Sequence, residues 1–235
     1  MTHHPGRAAP TGDGDRPVTF DQLDFTTYLY ADTKDTSFTE HMILQVNGLE
    51  FHGAPVTVPG LGSHFGMYFL IDATGHNIAG VTTFDTMHIA LMVDPGNNDG
   101  APSSTISGGA TFANGTSGDL TLATGTLVSA NIVTDSSGTK HPDFVQNITL
   151  TEAGKDLLGG SVHSGSRLEE LITTIGGPVM TKVGSDIIQI VNGAGAKGSA
   201  TGIAHLSPQQ TPMTLRLDDL NQGSCGGHWA ASTFT

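Results

Sequence analysis

Asp94-Pro-Gly-Asn97-Asn98-Asp99-Gly100 puts carboxylate and carboxamide oxygens on one short loop that also contains glycine. Hard oxygen donors clustered in this way can surround Ca²⁺, which takes its ligands from carboxylates and carbonyls. The candidate metal ligands are therefore Asp94, Asn97 and Asp99, with Asn98 a further oxygen donor, and the candidate cofactor is calcium. The loop lacks the regular spacing and closing glutamate of an EF-hand. Its simpler role is to make the Asx turns that end a strand.

Other groups that could do chemistry are dispersed. The eleven histidines form no HxH or HxxxH pair. His41, His52, His64, His76 and His88 recur about every dozen residues, the strand-and-turn period of a meander, so neighbouring strands could bring some together once the register is known. Solvent-facing histidines without a ligand are the plainer reading. Glu40 falls by parity among Phe38, Met42, Leu44 and Val46. A carboxylate on an apolar face has a raised pKa and could act as an acid or base if it lined a cavity; near a sheet edge its head would instead reach water. Cys225 is the single cysteine, so an intrachain disulfide is excluded, and its distance from His228 matches no catalytic spacing. With no nucleophile elbow, no dinucleotide loop ahead of a helix, no Walker loop and no HExxH, the sequence nominates no catalytic residue.

The residues that must position the Asp94 to Asp99 loop read as strands. Phe38 to Phe51, Gly66 to Gly75 and Thr82 to Pro95 are rich in β-branched and aromatic residues and bounded by turn formers. Leu23, Phe25, Thr27 and Leu29 alternate with polar or aromatic residues as a first strand does, and the strand from Thr82 is stopped at Asp94-Pro95-Gly96. Further strands are expected at Met67 to Ile71, Gly109 to Phe112, Asp119 to Ala123, Thr126 to Val133, Phe144 to Leu150, Ile187 to Val191, Thr201 to Leu206 and Met213 to Leu217. One short helix is expected near residues 166–176, where Ser166 and Glu169 form a capping-box pair and Leu168, Leu171, Ile172 and Ile175 share a helical face. The fold class is all-β, a β-sandwich, with a closed β-barrel as the alternative. Residues 1–17 read as a flexible N-terminal arm, 18–225 as a single β domain and 226–235 as a C-terminal tail.

Composition bounds the partners. Nine Lys and Arg against 22 Asp and Glu give a net charge of −13, which repels phosphate backbones and anionic membranes, so nucleic acid is excluded as a partner. The same balance suits divalent-cation uptake or association with neutral polysaccharide. No stretch approaches the roughly 20 apolar residues of a transmembrane segment, and residues 1–17 contain no apolar signal core. Charged residues make up 13% of the chain, against about 25% in ordinary soluble domains, a composition that favours a secreted or cell-surface location.

Leu61 to Gly75 (LGSHFGMYFLIDATG), Met92 to Gly100 (MVDPGNNDG) and Leu122 to Ile132 (LATGTLVSANI) together resemble bacterial exported flocculation-associated proteins of the PEP-CTERM type, over roughly residues 20–205. The sorting tail of that type is absent from Gly198 to Thr235. The resemblance implies a surface or extracellular-matrix role linked to exopolysaccharide. The leading expectation is thus a noncatalytic exported protein that self-associates or binds polysaccharide, with residues 1–29 adding to a neighbour's sheet edge. The competing expectation is a small-ligand barrel, a binding protein or a cyclase or isomerase, in which Glu40 or His88 faces an internal cavity.

Overall fold

The computed structural model describes residues 17–78, 81–105, 109–134, 140–159, 164–174, 196–205 and 213–217. Leu23, Phe25, Thr27, Leu29 and Ala31 are buried, in the two-residue period of a strand with one face on a core. They lie on β2 (Gln22–Lys34), which follows the short β1 (Val18–Phe20). The alternation continues through β3 (Ser37–Phe51), and then come β4 (Ala54–Val56), β5 (Gly66–Ile78) and β6 (Val81–Asp94). A hairpin of β7 (Pro102–Thr105) and β8 (Gly109–Phe112) leads into the long β9 (Leu120–Thr134) and β10 (Lys140–Leu150). The remaining elements are α1 (Glu152–Leu157), β11 (Leu158–Gly159), β12 (Ser164–Thr174), β13 (Ala196–His205) and β14 (Met213–Leu215).

The all-β expectation holds, with antiparallel sheets packed in a sandwich-like way over one apolar interior. The main sheet runs β2-β13-β12-β10-β9-β6-β5-β3-β4, and β2 also pairs with β3 along its full length. The sheets are not closed into the β-barrel held as the alternative, and β6 and β9 pair only over His88–Val93. Inward residues include Phe25, Leu44, Phe69, Ile71, Met87, Ile89, Leu91 and Phe144. A second sheet, β1-β14-β11, and α1 add Val18, Phe20, Leu157, Leu158 and Leu215 to the same core. Among the described residues no helix is long and apolar enough to cross a membrane.

Two expectations change. Residues 164–174 form β12, not the helix expected near 166–176: Phe144 on β10 pairs with Leu168, and Leu168 with Ala204 on β13. The apolar spacing there fits a helix, but β10 and β13 would each lose a hydrogen-bonded neighbour, and that tertiary demand outweighs a weak local preference. The short helix lies earlier, at Glu152–Leu157, where the Thr151 hydroxyl accepts from the Gly154 N–H at 3.0 Å as an N-cap. Residues 18–29, which with the arm were expected to add to a neighbour's sheet edge, pair within their own chain, β1 with β14 and β2 with β13 and β3. The strand expected at Ile187 to Val191, residues 1–16, Cys225 and the tail 226–235 lie outside the described residues.

Alanine is normally worth about 1 kcal/mol more than glycine inside a helix. At Gly154 the sign reverses, because a Cβ there would sit 1.8 Å from the Leu122 carbonyl oxygen on β9. Gly154→Ala is expected to destabilise the protein by about 2–3 kcal/mol in urea unfolding, since α1 must lift from the sheet to admit the methyl group. Unchanged or increased stability would show that α1 is not seated on β9.

Candidate metal centre

β6 ends at Asp94, and its carboxylate builds the turn that follows: Oδ1 accepts from the Gly96 N–H at 3.0 Å and Oδ2 from the Asp99 N–H at 3.1 Å. The chain then leaves as the β7–β8 hairpin, lies against β2 and β3, and returns at Asp119 immediately before β9. Its two limbs are joined at the base. The Asn114 N–H donates to the Asp99 carbonyl at 2.8 Å, and Asn114 Nδ2 donates to the Asn98 carbonyl at 2.7 Å.

Beneath this base three carboxylates converge. Asp94, Asp99 and Asp119 each place an oxygen within 4.8 Å of the others. Asp94 and Asp99 are each only 3% exposed. The Tyr68 hydroxyl, reaching in from β5 with its ring centroid 4.5 Å from that of Phe112, donates to Asp119 Oδ2. Asp99 Oδ2 and Asp119 Oδ1 are buried and accept no hydrogen bond. Buried carboxylates without a donor are costly, and like charges held this close oppose one another's ionisation. Burial, reinforced by the adjacent Asp119, pushes the Asp99 carboxyl from its ordinary 3.8 up to about 7. Burial raises Asp119 as well, against the Tyr68 hydrogen bond that favours its charge, and burial also raises the Tyr68 phenol. Only a shared proton or a cation relieves such an arrangement. Its all-oxygen donor set has the chemistry that hard divalent cations take.

Of the ligands nominated from sequence, Asp94 and Asp99 are brought together. Asn97 is exposed, with φ of 47°, and its Nδ2 donates to the Gly62 carbonyl at 2.9 Å, tying the loop to its neighbour. Asp119 and Tyr68 were not legible from local composition. The signal for Asp119 is pairing: Val93 is opposite Leu120, so the last residue of β6 must meet the residue before β9. Glu40 is buried among the inward residues of β3, opposite Ala31 and Ala73, and so does not reach water at a sheet edge. His88 is exposed on the outer face of β6.

A carboxyl whose folded pKa lies above its unfolded value contributes stability that is present below the unfolded pKa and lost as pH rises through the folded one. With Asp99 at 3.8 unfolded and about 7 folded, the protein in chelator should melt several degrees lower at pH 8 than at pH 4.5. Asp99→Asn should flatten that dependence. A wild-type melting temperature that rises across this window would refute the buried carboxylate pair.

The chain matches no protein-family model, no curated protein and no solved structure, so its function is read from its own geometry.

Proposed function

We propose that this protein is a noncatalytic β protein, exported to a bacterial surface or extracellular matrix, in which calcium held by Asp94, Asp99 and Asp119 locks the β7–β8 hairpin onto the sheet. The observation that carries the reading is the pair of buried, donorless oxygens, Asp99 Oδ2 and Asp119 Oδ1, at the two ends of the hairpin excursion. A cation between them would neutralise charge that burial otherwise penalises, and would join both limbs to the end of β6. The net charge of −13 and the low share of charged residues support the same picture. They favour cation uptake and contact with neutral polysaccharide or with further copies of the chain over contact with phosphate polymers. The stable sheet is then the scaffold, and the cation sets how firmly its outer hairpin is presented.

Calcium at about 100 times its dissociation constant should stabilise the fold by roughly 2.7 kcal/mol, a rise of several degrees in melting temperature that excess chelator reverses. Asp119→Asn should abolish the calcium response, while Asn97→Ala should keep most of it. Light scattering should show particle mass increasing with calcium in the wild type and not in Asp119→Asn. Melting curves indifferent to calcium and chelator would return these aspartates to turn formation alone.

A further inference from the structure

A second group of ligating side chains crosses the outer face of the sheet, away from the carboxylate cluster. His41 on β3 stands directly opposite Asp72 on β5, and Asp72 directly opposite His88 on β6. A carboxylate is thus flanked on both adjoining strands by an imidazole on the same face. His41 Nδ1 lies 2.5 Å from Asp72 Oδ1. Beyond His88 the same row continues to Thr126 on β9 and Asn147 on β10. Asp72, His88, Thr126 and Asn147 line one open trough of about 760 Å³, together with Leu70 and Ala90.

We propose that His41, Asp72 and His88 form a binding site for a transition-metal dication of the zinc class, opening into this trough. Two imidazoles and one carboxylate are the donor set that borderline metals take, whereas calcium selects oxygen. The spacing permits it. Directly opposed side chains have Cβ atoms about 5 Å apart, so the imidazoles approach from either side of the carboxylate. Metal–nitrogen bonds of about 2 Å then reach a common point above Asp72 once the His88 ring turns toward it and the His41 ring gives up its hydrogen bond to Asp72. The His41–Asp72 contact already places one imidazole beside the carboxylate, and metal binding exchanges that hydrogen bond for two metal–ligand bonds. The side chains of His41 and Asp72 are 50% and 68% exposed, so a metal enters with little desolvation and keeps open positions toward the trough for water or an exogenous donor. His76 with Asp85, at 3.1 Å, and His52 with Asp21, at 3.2 Å, supply one imidazole each and serve as internal comparisons.

The test is calorimetric titration of zinc chloride into the full-length chain carrying His3→Ala and His4→Ala, which removes the adjacent imidazoles at its start. One zinc per chain is expected. His88→Ala and His41→Ala should each weaken binding by about 100-fold, at or above the cost of losing a supporting partner of a metal ligand. His76→Ala and Asp119→Asn should leave zinc affinity unchanged, the latter separating this site from the carboxylate cluster. Cobalt(II) in place of zinc should give visible absorption bands that disappear in His88→Ala. His41 and His88 are exposed, and a melting curve for each variant confirms that it is folded. Absence of zinc binding, or zinc binding of equal affinity in folded His88→Ala, overturns the proposal.

Discussion

Every strand of the main sheet except β4 has a hydrogen-bonded neighbour on both sides, and the rest of the molecule follows from that constraint. An unpaired strand leaves a row of donors and acceptors that must find water or another chain. With β2 bridging β3 and β13, that strand is paired on both edges, and inward apolar side chains are committed to one core. Chemistry is then confined to the outer face and to the strand ends. The carboxylates gather at such an end, where β6 stops and β9 starts.

The hairpin between those two strands is a small element with little core of its own. Phe112 meets Tyr68, Pro102 is buried, and the base is joined by the Asn114 hydrogen bonds to Asp99 and Asn98. Concentrating negative charge under that base is a poor way to hold it unless something neutralises the charge. The Asx turn at Asp94 and the pair Asp99 and Asp119 therefore form one unit: the turn brings the carboxylates together, and burial beside Asp119 raises the Asp99 carboxyl.

Much of this fold was legible in the sequence. β2 and β3 follow from two-residue alternation, β5 and β6 from β-branched and aromatic runs bounded by turn formers, and the stop at Asp94 follows from Pro95, which has no N–H to give a ladder. What failed was non-local. Leu168, Leu171 and Ile172 have helical spacing, and only the needs of β10 and β13 make that segment a strand. Asp94 and Asp99 could be nominated because they share a loop, whereas Asp119 joins them only through the pairing of β6 with β9. The dozen-residue recurrence of histidines was visible, but which of them share a row depended on register. A shift of one residue would have turned His88 inward.

The bridging role of β2 also has a temporal side. Its partner β3 follows at once, joined by a tight turn, but its other partner is β13, where Leu23 pairs with Ala204. A ribosome delivers these two strands far apart in time, and closing so long a loop carries a large entropic cost before any contact rewards it. Folding is then governed by high contact order: the β2–β3 ribbon forms early, and its open side waits for the distal part of the chain. During that interval the exposed strand is the place where a chaperone, or a second nascent chain, would pair.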